Sequence, residues 1–134
     1  MSARFLRFAL VGTLGFAVDA GVLALLLASG IAGFHTGRCL SFLAAASFTW
    51  ALNRRFTFAD PGGAGASGTR GGQWARYVAA MTAGAALNYA VYALVLHVLG
   101  YSVLLAPLAV AAGSIAGLGL NFLSASRLVF AARR

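Results

Sequence analysis

The chain contains no lysine, one cysteine, two prolines and two acidic residues in 134 positions. A lone Cys39 can neither close an intrachain disulfide nor furnish a cysteine metal site. With only Asp19 and Asp60 present, no carboxylate pair is at hand for glycosyl chemistry. A nucleotide-cradling glycine loop, an H-E-x-x-H helix and a plausible serine–histidine–acid set are also missing, so the chain is not expected to be an enzyme. His97 has no second ligand at a recognisable spacing, so neither a metal nor another cofactor is expected. Charge itself is scarce, at 9% of residues against about 25% in soluble domains. The rest is apolar: 61% hydrophobic residues and a mean hydropathy of +0.88. Runs of roughly 20 apolar residues fill most of the sequence, the length that crosses a bilayer. The expected class is all-α integral membrane.

The ten basic residues are all arginine and give a net charge of +8. A nucleic-acid partner would need a water-exposed basic face, whereas these arginines sit at the ends of apolar runs, so none is expected. Arg4, Arg7 and the apolar run up to Ala28-Ser29-Gly30 have the outline of a signal peptide. The run is longer than a typical h-region and carries Asp19 midway, so a mature membrane helix is expected instead. The lysine-free, Gly- and Ala-rich composition is associated with GC-rich bacterial genomes.

Four transmembrane helices are predicted, over about 8–29, up to 52 with an uncertain start, 77–99 and 103–123. From Arg38 to Asn53 the second is only ~22 Å long. It therefore starts near Ile31 with Arg38 inside the membrane, or the bilayer thins there. Gly100 marks the tight turn before the fourth, which carries Pro107 near its start, where a helix tolerates proline. Asp60-Pro61-Gly62-Gly63 opens a flexible Gly/Ala/Ser linker. Four spans put Arg4, Arg7, Arg54, Arg55, Arg70, Arg76, Arg127, Arg133 and Arg134 on one side and Arg38 alone near the other. The positive-inside rule then makes both termini cytoplasmic, an N-in/C-in topology.

A shift of 69 places Arg7-Phe8 on Arg76-Tyr77, Thr13 on Thr82, Gly15 on Gly84 and Asp19 on Asn88. A shift of 72 places Arg55 on Arg127, Phe58 on Phe130, Thr49 on Asn121 and Trp50 on Phe122. The expected organisation is one membrane domain, 1–134, built of two parallel two-helix repeats at about 4–58 and 73–130 around a cytoplasmic linker at 59–72. A pseudo-twofold axis along the membrane normal relates such repeats. Small residues recur at spacing four, in Gly113, Gly117, Asn121 and in Ser41, Ala45, Thr49. These rows are expected to face the bundle interior, where they permit close helix approach.

Asp19 lies ~18 Å beyond Arg7 along its helix, near the bilayer midplane, where a carboxylate marks a functional site. Its state has three readings: a neutral acid bonded to Asn88 or a neighbouring helix, an ion pair with a cation such as Arg38, and a part in proton coupling. Arg38 either pairs in this way, attracts an anionic head group from the outer side, or snorkels to the interface. At the helix ends, Arg54, Arg55 and Arg127 are in part positive-inside anchors. Their context, Asn53-Arg54-Arg55 and Ser126-Arg127, also suits a phosphate: guanidinium groups bind it bidentately, and neighbouring amide or hydroxyl donors complete the shell. A phosphate at the membrane surface implies a lipid head group.

The chain resembles the GtrA-like family of small four-helix bacterial membrane proteins. The resemblance rests on Arg7-Phe8 leading into Val11-Gly12 with Asp19, on Asn53-Arg54-Arg55-Phe56-Thr57-Phe58, and on Asn121-Phe122 followed by Ser126-Arg127-Leu128-Val129-Phe130. It departs at Ala125, where an asparagine or serine is usual. The resemblance implies a flippase of polyprenyl-phosphate-linked sugars in the bacterial cytoplasmic (inner) membrane, serving cell-surface polysaccharide glycosylation. Phosphate would bind at Arg55, Arg54, Arg127, Asn53 and Ser126, and the sugar would pass an intramembrane polar route of Asp19, Asn88, Asn121 and Arg38. One bundle hardly encloses such a route, so a homo-oligomer, a dimer, is expected. Two alternatives stay open: a small proton-coupled multidrug exporter using Asp19, and a non-transporting assembly partner of a membrane glycosyltransferase.

Overall fold

The computed structural model describes residues 2–59, 69–100 and 106–131. Most of the linker, Arg133 and Arg134 lie outside the described residues. Four α-helices run in order: α1 (Ala3–Ala28), α2 (Phe34–Leu52), α3 (Arg70–Leu99) and α4 (Ala106–Ser124). Local chemistry sets their ends. Ser2 caps α1 by accepting the Phe5 N–H at 3.3 Å, and Gly30 turns the chain past its end with φ of 67°. Thr69 caps α3 by accepting the Gly72 N–H at 3.1 Å. That cap starts α3 seven residues ahead of the expected Tyr77, so Arg70–Gly72 are helical rather than linker. Hydropathy missed this turn because Arg70, Gly71, Gly72 and Gln73 are not apolar; a cap needs only a hydroxyl in register.

Neither α2 nor α4 stops where its α-helical bonding ends. Each passes into a five-residue π-helical turn, Asn53–Thr57 after α2 and Ala125–Val129 after α4. The Phe58 N–H reaches the Asn53 carbonyl at 2.8 Å, and the Phe130 N–H reaches Ala125 at 2.9 Å. A π turn is wider than an α turn and re-aims the side chains that follow it. Here it turns Thr57 and Phe58, and Val129 and Phe130, into the protein, where all four are buried.

α1 packs mainly on α2, and α3 on α4, as two helix pairs. The α3–α4 contact is close because its small residues face each other. A Cβ on Gly113 would lie 2.7 Å from Asn88 Oδ1, and one on Gly117 would lie 2.8 Å from the Gly84 carbonyl oxygen. Gly84 faces the Asn121 side chain, and in the other pair Gly15 faces the Thr49 methyl. The small-residue rows are thus contact rows, and membrane helices depend on this close approach for their association.

The two pairs meet at one end in an aromatic cluster of Phe8, Phe58, Tyr77 and Phe130 with Ala125 and Val129. Phe58 and Phe130 stack with centroids 4.7 Å apart and planes 9° from parallel. Phe8 meets Phe58 edge-on at 6.2 Å, as Tyr77 meets Phe130 at 6.0 Å. Edge and stacked geometries of this kind add to the burial of the rings themselves.

Three helical stretches are long and apolar enough to cross a membrane: Ala3–Ala28, Arg70–Leu99 and Leu108–Val129. α2 is not among them. It is a 19-residue helix, ~28 Å long at 1.5 Å per residue, and Arg38, Ser41, Ser47 and Thr49 dilute its apolar character. The chain is an all-helical membrane protein of four helices among the described residues, three of them candidate spans.

Candidate functional site

Seven of the eight described arginines gather at the aromatic end: Arg4 and Arg7 at the start of α1, Arg54 and Arg55 after α2, Arg70 and Arg76 at the start of α3, and Arg127 after α4. Arg7 donates to the Phe56 carbonyl at 3.3 Å, which fastens α1 to the first π turn. The Arg4 guanidinium lies 5.9 Å over the Phe58 ring. Arg54 donates to Gln73 Oε1 at 3.2 Å and lies 5.8 Å over the Trp50 ring, tying the first π turn to α3. Arg55 and Arg127 differ. Both are exposed, and neither makes a hydrogen bond or ion pair with another described residue. Arg55 only lies 5.7 Å over its neighbour Phe56.

Asn53 does not stand beside these arginines at the surface. It is 1% exposed; its Nδ2 donates to the Tyr77 hydroxyl, and its Oδ1 accepts from Thr57 Oγ1, both at 2.8 Å. One amide therefore locks the first π turn to α3. Ser126 is half-buried and donates to the Leu123 carbonyl at 3.1 Å within its own helix. Of the five residues expected to hold phosphate, Arg55 and Arg127 present free groups, Arg54 is already engaged, and Asn53 and Ser126 serve the turns.

Below the aromatic cluster a cleft of about 510 Å³ runs between the helix pairs. Its walls include Phe8, Asp19, Thr49, Asn53, Tyr77, Asn88, Ser114 and Asn121. Phe8 to Asp19 is eleven residues of one helix, so the cleft extends ~16 Å along the bundle. Asp19, Asn88 and Asn121, expected along one polar route, do come together on it. Arg38 does not line it; it reaches Asp19 from outside. Arg38 Nη1 forms an ion pair with Asp19 Oδ2, the arginine side chain 58% and the aspartate side chain 16% exposed. Asp19 makes no hydrogen bond to Asn88. The pair offsets a charge that would otherwise be costly at this depth.

Sequence reasoning missed Tyr77, Gln73 and the Phe58–Phe130 stack. A signal existed for two of them: the repeat offsets align Tyr77 with Phe8 and Phe130 with Phe58. Gln73, wholly buried, had none, because a glutamine near a predicted linker reads as solvated.

Arg38→Ala should destabilise the folded protein by ~1–2 kcal/mol, between an exposed pair and a buried one. In Arg38→Ala/Asp19→Asn most of that loss should return, since no uncompensated carboxylate remains. Thermal unfolding of the four proteins in one detergent measures the coupling, and independent, additive losses would mean that the pair contributes nothing.

No curated protein matches the chain. A family model described as the GtrA/DPMS transmembrane domain matches residues 7–130. That span begins at the Arg7-Phe8 pair and closes at Phe130, the phenylalanine stacked on Phe58 across the two π turns. By that match, over nearly its whole length, the chain belongs to the GtrA/DPMS transmembrane-domain family.

Proposed function

We propose that this protein carries a polyprenyl-phosphate-linked monosaccharide across the bacterial cytoplasmic membrane, for glycosylation of a cell-surface polysaccharide, and is not itself an enzyme. One observation carries the reading beyond family membership: Arg55 and Arg127 stand exposed and unpaired in two π turns, 72 positions apart, whose closing phenylalanines stack on each other. A guanidinium without a partner among the described residues is available to a phosphate, and each of the two π turns presents one. The prenyl tail then stays in lipid, beside outward-facing side chains such as Leu10, Phe16, Ile115 and Leu128.

The same reading takes the molecule as two parallel two-helix repeats. The contacts Gly15–Thr49 and Gly84–Asn121, related by the offsets of 69 and 72, support it. It also takes all four helices as spanning, with both termini cytoplasmic, on the strength of the arginine bias. α2 then crosses with Arg38 neutralised by Asp19. That pairing speaks against a cation exporter, which would need the Asp19 carboxylate free. A homodimer and a membrane glycosyltransferase are the partners that this function calls for.

The test is translocation of a polyprenyl-phosphate sugar in liposomes. Arg55→Ala and Arg127→Ala should each slow transport by about tenfold, the value of one charge-assisted contact. The double variant should fall to the rate of protein-free vesicles. Unchanged transport in both single variants removes the phosphate site. Absence of transport by the wild type, with co-purification of a glycosyltransferase, favours the assembly-partner reading.

A further inference from the structure

Tyr77 stands about two turns into α3 and touches both π turns at once. Its hydroxyl accepts from Asn53 Nδ2 at 2.8 Å at the start of the first turn. Asn53 Oδ1 accepts in turn from Thr57, the last residue of that turn. The Tyr77 ring meets Phe130, which closes the second turn, edge-on at 6.0 Å. Phe130 stacks on Phe58, which closes the first. These contacts form one closed circuit through α3 and both turns, and every residue in it is buried.

The repeat shows which arm of the circuit is special. The offset of 69 pairs Phe8 with Tyr77, and the offset of 72 pairs Asn53 with Ala125. The ring contact is kept in both halves, since Phe8 meets Phe58 edge-on at 6.2 Å. The polar contact is not. Phe8 has no hydroxyl and Ala125 no amide, so both partners of the hydrogen bond are missing together from the other half. The bond belongs to the first turn alone.

A π turn needs such a hold. It is an uncommon form whose bonds use backbone groups that could equally wind as α-helix. One residue of α winding rotates a side chain by about 100°, enough to aim Arg55 elsewhere. Rewinding would also strip the Asn53 amide and the Tyr77 hydroxyl of their buried partners, which is costly. Arg55 and Arg127 have no hydrogen-bond partner of their own among the described residues to fix them.

We propose that Tyr77 is the positioning residue of the phosphate site: its hydroxyl sets the aim of Arg55 through Asn53, and its ring sets the aim of Arg127 through Phe130. The proposal rests on the lipid-phosphate reading above. It makes the two arms separable by chemistry, because Tyr77→Phe removes one and Tyr77→Leu removes both.

Two measurements on the full chain in phosphatidylcholine nanodiscs test it: calorimetric titration with farnesyl phosphate, and amide hydrogen exchange. Tyr77→Phe should weaken binding by about tenfold, as Arg55→Ala does, and should cost nothing further when added to Arg55→Ala. Added to Arg127→Ala it should still cost about tenfold. Exchange should quicken over 53–58 and stay as in the wild type over 125–130. Tyr77→Leu should quicken exchange in both turns and bind as weakly as the double arginine variant. Asn53→Leu/Tyr77→Phe should melt above Asn53→Leu and still lack the Arg55-dependent part of the binding, which separates aim from stability.

If both arginine variants lose binding while Tyr77→Phe keeps it, the proposal is overturned and the phosphate site stands. An equal further loss from Tyr77→Phe in the wild type and in Arg55→Ala also overturns it, since that is the mark of a merely structural role. If Arg55→Ala and Arg127→Ala both bind like the wild type, the phosphate reading itself fails and takes the proposal with it.

Discussion

Gly113→Leu is expected to drive α3 and α4 apart and to cost at least ~3 kcal/mol, beyond the usual 1–3 for overpacking. The obstruction is backbone. A Cβ at position 113 would overlap the Asn88 carbonyl oxygen and lie 2.7 Å from its Oδ1. A side chain could swing aside, but a carbonyl inside a helix cannot. The helices must separate along the whole row, which also loosens Gly117 from Gly84 and Asn121 from Gly84. In lipid no hydrophobic force compensates, because tails solvate leucine as well as a neighbouring helix does; close packing is what holds the pair together. Gly119→Leu is the control, since a Cβ there meets nothing within 4 Å. Size-exclusion profiles and melting temperatures in detergent should show Gly119→Leu near wild type and Gly113→Leu aggregated or strongly destabilised. Equal behaviour of the two would show that the α3–α4 row does not set the stability of this bundle.

Asn53→Leu should destabilise by ~2–5 kcal/mol, because it strips partners from two buried hydroxyls at once, at about 1–3 kcal/mol for each orphaned group. Tyr77 is 1% exposed and Thr57 5%, and both bond to the Asn53 amide. Adding Tyr77→Phe to Asn53→Leu should restore ~1 kcal/mol or more, since removing both partners is cheaper than removing one. A second variant stabilising a first is hard to obtain by any other route. If Asn53→Leu instead melts like the wild type and loses only lipid binding, the amide is a ligand group and not a clamp. The prediction matters for function, because the turn that Asn53 locks is the one that presents Arg55.

This clamp also marks where sequence reasoning went astray. Asn53 beside two arginines reads as a donor to the same anion, because adjacency in sequence is all that a motif displays. The π turn separates them: Asn53 and Thr57 turn inward, while Arg55 and Phe56 remain outside. A widened turn of this kind leaves no compositional signature, since its i to i+5 bond is made by backbone groups that every residue owns. Arg38 went the other way. Its depth left three options open by sequence, and only the approach of α2 to α1 joined it to Asp19.

Composition alone determined that the chain lives in a membrane, because 61% apolar residues in long runs have no stable home in water. Periodic small residues, the paired arginine-and-phenylalanine endings and the intramembrane Asp19 were legible for the same reason: each is a local property of residue type and spacing. Which polar groups are used up and which remain free was decided only by the packing. Arg54 and Asn53 found partners on α3, Asp19 found Arg38, and Arg55, Arg127 and the far oxygen of Asp19 did not. The partners that join Arg7, Arg38, Asn53 and Arg54 to other helices and turns lie 19 to 49 positions apart along the chain. Their pairing is therefore fixed by how helices cross and not by anything written beside them in the sequence.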